Sequence, residues 1–140
     1  MSKLLDGIKI VDLTHVLAGP YCAYQLGLLG ADITRIENPA AADLPRIIDS
    51  DSDRLAKGLG AGFIAAHANK RSVAIDLSSK GGQGLARKLI ANADVVIENF
   101  RPGVLKKYGL DAKTLTEENP RLIYCSISGF GQDSSWKDRP

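Results

Sequence analysis

Apolar residues along the 140-residue chain fall in short β-branched runs, separated by stretches with helical spacing. The first run, Ile8-Lys9-Ile10-Val11-Asp12-Leu13, predicts a strand. It leads through Thr14-His15-Val16-Leu17-Ala18-Gly19-Pro20 into a helix over 21–29, which Gly30 stops. Pro20 suits a first helical position, with Gly19 a flexible residue before it. Residues 32–37 predict a second strand. Val73, Ile75 and Leu77 alternate with small or polar residues and predict a third over 71–77. Ser78 or Ser79 then caps a helix over 80–92, with Leu85, Leu89 and Ile90 on one face. Residues 94–98 form a short buried strand, 104–108 a helical turn closed by Gly109, and 111–118 a helix capped by Asp111 and stopped at Asn119-Pro120. The last run, 122–128, is nearly continuous, as in strands that a parallel sheet buries on both faces.

Strands interleaved with helices predict an α/β chain with a parallel sheet and right-handed crossovers. Residues 38–68 break the pattern. They are rich in Ala, Gly, Asp and Ser, carry Pro39 and Pro45, and predict an irregular segment with short helical pieces near 44–48 and 61–66. Part of so long a segment in a compact domain is expected to be functional surface or mobile. Residues 129–140 leave the last strand as a glycine-bearing loop with no closing element, so the chain reads as the amino-terminal part of a longer protein.

Composition narrows the function classes. Hydrophobic content is 44% and charged content 24%, with 18 basic against 16 acidic residues and a net charge of +2. Basic residues adjoin only at Lys70-Arg71, Arg87-Lys88 and Lys106-Lys107, so no basic stripe points to nucleic acid. Cys22 and Cys125 lie far apart and read as buried small hydrophobes. Without a disulfide framework or signal peptide, the expected compartment is the cytoplasm. No apolar run approaches the ~20 residues that span a bilayer, so no membrane partner is expected. His15 and His67 have no zinc spacing to the cysteines, so no metal is expected either.

The loop after the first strand is where open α/β sheets place ligands. Glu37 ends the second strand about where a ribose-binding carboxylate would sit in a dinucleotide site. That reading lacks its glycines: no Gly-x-Gly-x-x-Gly lies between Leu13 and Tyr21, and Pro20 removes an N–H from the turn. A Walker loop fails for want of Gly-Lys-Ser/Thr. His15 is either a hydrogen-bonded structural residue or a ligand contact beside a helix N-terminus. Asn99-Phe100-Arg101-Pro102-Gly103 is either a plain turn with Phe100 packed inward, or an aromatic face and an amide for a base or thioester, with Lys106 and Lys107 near a phosphate.

Several motifs in order resemble the family III CoA-transferases. They are Leu5-Asp6-Gly7-Ile8-Lys9-Ile10-Val11-Asp12-Leu13-Thr14-His15-Val16-Leu17-Ala18-Gly19-Pro20, Leu29-Gly30-Ala31-Asp32-Ile33-Thr34-Arg35-Ile36-Glu37, Asn69-Lys70-Arg71-Ser72-Val73-Ala74-Ile75-Asp76-Leu77 and Asp94-Val95-Val96-Ile97-Glu98-Asn99-Phe100-Arg101-Pro102-Gly103, followed by Asn119-Pro120-Arg121-Leu122-Ile123-Tyr124 and Gly131-Gln132. The family includes formyl-CoA and carnitine CoA-transferases and the α-methylacyl-CoA racemases. The resemblance implies a Rossmann-like open parallel sheet with helices on both faces, forming part of a larger coenzyme A-binding domain. It also implies a second, smaller domain and an interlocked homodimer. Its substrates would be an acyl-CoA and a carboxylic acid, with CoA moved through an aspartyl-CoA thioester.

By matching position, His15, Val16 and Ala18 would contact CoA, Ile75 would lie beside the adenine, and Asn99, Phe100 and Lys107 would meet the nucleotide or pantetheine. Leu17 stands where some transferases carry glutamine, and Asn38 where some carry a phosphate-binding arginine. The family's catalytic aspartate, and the His and Asp pair of the racemases, match no position in these 140 residues, so no catalytic residue is assigned. The alternatives are a racemase fragment, a non-catalytic nucleotide-binding or assembly module, and a nicotinamide oxidoreductase domain, which the absent glycines disfavour.

Overall fold

A computed structural model describes residues 2–139. Five strands, β1 (Lys9–Leu13), β2 (Asp32–Glu37), β3 (Arg71–Ala74), β4 (Val95–Glu98) and β5 (Ile123–Ser126), form one parallel sheet in the order β3-β2-β1-β4-β5. The chain winds outward from β1 to β3, then returns to the far side of β1 for β4 and β5. This is the doubly wound order, and it puts a topological switch point between β1 and β4. There Leu13 lies opposite Glu98, and on the other side of β1 Asp12 lies opposite Arg35.

Period-two alternation sends the strand side chains into two cores. Val11, Leu13, Ile36, Ile75 and Val96 pack with Ala86, Ile90, Leu105 and Leu115 of the helices α4 (Lys80–Ala91), α5 (Val104–Lys107) and α6 (Ala112–Glu118). Ile10, Ile33 and Ile97 point the other way, onto Ala23 and Leu26 of α1 (Ala18–Leu28). Helices thus cover both faces, and the fold is the expected open α/β sheet.

Several boundaries differ from the sequence reading. Helix α1 starts at Ala18, so Pro20 lies inside its first turn. A proline is tolerated there because the first four N–H groups of a helix have no intrahelical acceptor to lose. Gly19 owes its place to contact rather than flexibility: a Cβ on it would run into the Thr14 side chain. Strand β3 stops at Ala74, although the Ile75 N–H still donates to the Glu37 carbonyl at 2.9 Å. β5 is similarly short, ending at Ser126 rather than Ser128.

Residues 38–68 hold a 3₁₀ turn (Leu44–Arg46) and two helices, α2 (Ser52–Ala56) and α3 (Ala61–His67); α2 had no apolar pattern to announce it. Its start is polar, with the Asp51 carboxylate accepting from the N–H groups of Asp53 and Arg54. Arg46 fastens this segment to β2, donating twice to Glu37 at 2.8 Å and lying 3.6 Å over the Phe63 ring. Cys22 and Cys125 are half-buried on the α1 side rather than fully enclosed, because one helix covers that face only in part. No helix among the described residues is long and apolar enough to cross a membrane.

Candidate binding site at the carboxyl edge of the sheet

The carboxyl ends of four strands open onto one cleft of about 260 Å³, lined among others by Leu13, His15, Ile36, Asn38, Ile75 and Phe100. Leu13, Ile36 and Ile75 form an apolar floor continuous with the core beneath, while Asn38 supplies a polar rim. His15 meets Phe100 edge to face at 4.9 Å between ring centroids, so the loops after β1 and β4 touch across the switch point. Burial pushes the His15 imidazole below its ordinary pKa, against the raising effect of the nearby Asp43 carboxylate. His15 is therefore neutral at pH 7, with one ring nitrogen able to donate and the other to accept.

The structure thus gathers His15, Asn38, Ile75 and Phe100 in one place. The other expected residues border it. Asn99 is engaged with the backbone: its Oδ1 accepts from the His15 N–H at 2.8 Å and its Nδ2 donates to the His15 carbonyl at 2.9 Å. That amide fixes the loop instead of facing the cleft. Lys107 is exposed at the end of α5, one residue before Tyr108, which does line the cleft. Val16, Leu17 and Ala18 are exposed where the chain enters α1. That helix has no side-chain cap and no acid in its first turn, leaving a start suited to an anion.

Glu37 is unavailable to a ribose. Burial works to raise its pKa, but hydrogen bonds from Arg46 and Ser72 and the charges of Arg46 and Arg35 hold it down at about 2. The carboxylate is a bidentate anchor for Arg46, which removes the geometric support for a dinucleotide site.

Beneath the loop lies a buried ionic network that periodicity did not single out. The Lys70 ammonium donates to Asp12 at 2.9 Å and to the Pro20 carbonyl at 2.8 Å, tying β1 and α1 to the turn before β3. Arg35, 1% exposed, donates to the Thr14 carbonyl at 2.8 Å and to Asp43 at 2.6 Å. His67 stacks on Phe63 and lies 3.3 Å from the Lys70 ammonium, while its Nε2 is buried with no partner among the described residues. Its pKa is lowered to about 4 by burial first, then by the charges of Arg35 and Lys70. A signal did exist. Asp12 interrupts the apolar run of β1 and Arg35 lies between Ile33 and Ile36 in β2, and a parallel sheet tolerates a buried charge only when it is paired.

Strand order and cleft place the chain in the class of open-sheet α/β proteins whose ligands lie across the switch point. Within that class it belongs to CoA-transferase family III, which it matches over residues 5–140. It is 42% identical over 140 residues to a succinate–glutarate CoA-transferase of Agrobacterium fabrum, covering 96% of this chain and 34% of that one. It is 38% identical over 131 residues to a formyl-CoA:oxalate CoA-transferase of Rhodopseudomonas palustris, covering 94% of this chain and 30% of that one. The crystal structure of a CAIB/BAIF family protein from Brucella suis superposes with a TM-score of 0.87 at 42% identity, over 99% of this chain and 37% of that one. The chain therefore spans about a third of the length of these relatives.

Proposed function

We propose that the chain is the coenzyme A-binding part of an enzyme that moves CoA between carboxylic acids. The observation that carries this reading is the convergence of His15, Asn38, Ile75 and Phe100, far apart in sequence, on one cleft at the switch point. In this reading the apolar floor receives the adenine beside Ile75, and Phe100 flanks the nucleotide or pantetheine. Lys107 meets a phosphate from the rim. Val16, Leu17 and Ala18 offer the start of α1, and Asn99 holds His15 in place.

The nucleophile in this reading is an aspartate outside these 140 residues. Its carboxylate oxygen attacks the thioester carbonyl of the acyl-CoA, the C–S bond breaks, and the CoA thiolate departs. The thiolate then attacks the aspartyl carbonyl of the mixed anhydride, freeing the donor acid and leaving an aspartyl-CoA thioester. The acceptor carboxylate repeats the two displacements in reverse. A carboxylate nucleophile divides one difficult transfer into easier steps, and this chain's residues hold the CoA so that the thiolate stays in place between them. The working enzyme is proposed to be an interlocked homodimer in the cytoplasm. The Agrobacterium fabrum and Rhodopseudomonas palustris relatives are named CoA-transferases, which favours transfer over racemisation, and their names point to short acids such as succinate, glutarate or oxalate as substrates.

Calorimetric titration of the full-length protein with CoA and with NAD tests the reading. Submillimolar CoA binding with no NAD binding is expected, and the reverse would overturn it. Phe100→Ala is expected to weaken CoA binding.

A further inference from the structure

Three consecutive residues after β1 have main-chain groups held by side chains from elsewhere. Asp12 accepts the Thr14 N–H at 2.9 Å, and Arg35 donates to the Thr14 carbonyl at 2.8 Å. Asn99 holds both polar groups of His15. Asp43 accepts the Val16 N–H, with its Oδ1 at 3.0 Å. The last contact matters because Val16 has φ +68°, and Val16 and Asn69 are the two non-glycine residues with positive φ among the described residues. Asn69 carries a side chain that tolerates this region, whereas a β-branched residue avoids it. Strained backbone of this kind persists only where its surroundings over-determine it.

Asp43 is itself fixed. Its side chain is 5% exposed, and its Oδ2 accepts from the Arg35 guanidinium at 2.6 Å. Arg35 in turn reaches the Thr14 carbonyl two residues before Val16, so one buried pair grips the loop at both ends. Asp43 comes from the segment after β2, immediately before the 3₁₀ turn that Arg46 fastens.

We infer that Asp43 is a positioning residue. Pinned by Arg35, it holds Val16 left-handed and so sets the direction in which the chain enters α1 and presents that helix start to a ligand. Asp43 acts through Val16 and touches no ligand itself. The inference rests on the reading that this loop receives CoA, and it makes the order of the segment after β2 a condition for an ordered ligand loop.

The test uses the full-length protein, with hydrogen exchange at the Val16 amide, CoA titration and steady-state kinetics as readouts. Asp43→Ala is expected to speed exchange at Val16 and to weaken CoA binding by about tenfold, chiefly in KM rather than kcat. Glycine adopts positive φ without penalty, so the double variant Val16→Gly/Asp43→Ala is expected to recover to within about threefold of the parent affinity. Equal weakness of the single and double variants would overturn the inference, as would Asp43→Ala with unchanged exchange and affinity.

Should Asp43→Ala fail to fold, Asp43→Asn carries the same comparison. It keeps an oxygen for Val16 but turns an amide toward Arg35, so partial loss and partial rescue by glycine are expected; no loss, or no rescue, would overturn the inference. A parent protein that does not bind CoA would overturn the proposed function, while exchange at Val16 would still decide the role of Asp43.

Discussion

Lys70, Asp12 and Arg35 show how much of the site is decided by individual buried charges. The Lys70 side chain is 2% exposed and Asp12 is fully buried, so the pair stands on mutual contact and on the Pro20 carbonyl. Removing Lys70 leaves the buried Asp12 carboxylate with the Thr14 N–H and hydroxyl and with Arg35 only at 3.9 Å, so Lys70→Met is expected to destabilise the fold by roughly 3 kcal/mol. Urea unfolding of parent and variant checks this; a loss below about 1 kcal/mol would mean that Arg35 alone balances Asp12. His67 brings a pH dependence of definite sign. Its folded pKa of about 4 lies below its unfolded value, so the unfolded chain binds more protons, and the stability held above pH 6.5 is lost as the pH falls toward 4. Glu37 adds a second loss at lower pH, from its unfolded pKa of 4.5 down to its folded value of about 2. Urea midpoints measured from pH 7 to 4 are expected to fall in the parent and to fall less steeply in His67→Phe, which keeps the stack on Phe63 and leaves the contribution of the buried His15; equal slopes would refute the assignment.

Helix α4 carries three glycines with opposite consequences. A Cβ on Gly82 would meet the Asp76 carbonyl, a backbone group with no room to withdraw, whereas a Cβ on Gly84 would meet nothing within 4 Å. Gly84→Ala is therefore expected to raise stability by about 0.5–1 kcal/mol, and Gly82→Ala to lower it by about 1–3 kcal/mol. Thermal unfolding of the two variants separates them, and the same sign for both would contradict the packing described. From composition all three looked like equal weaknesses of one helix. The difference lies in how the loop leading into α4 folds back so that the Asp76 carbonyl lies against Gly82 and not Gly84, which composition does not specify. Helix α1 makes a similar point. Its apolar residues run almost all round it, as in a helix enclosed on every side, yet Tyr21 is 53% exposed and Leu28 49%.

At the scale of the whole molecule, those α1 residues join Ile123, 63% exposed on β5, as apolar surface that the 140 residues do not cover themselves. Such surface favours association. Expressed alone, the 140 residues are expected to self-associate; a clean monomer by size-exclusion chromatography with light scattering would count against this. The sequence by itself determined the five strands, their parallel class and the two faces they bury, because alternation of period two and short β-branched runs are local signals. Its ordered motifs also determined the family and brought His15, Asn38, Ile75 and Phe100 forward. Tertiary structure alone decided which side chains face the cleft and which support it. Asn99 turned out to hold the His15 backbone, and Glu37 to anchor Arg46. Asp43, without any motif of its own, reached the strained Val16 across 27 residues of chain. Hydrogen bonds between distant residues depend on how the segments meet, and no local pattern records that meeting.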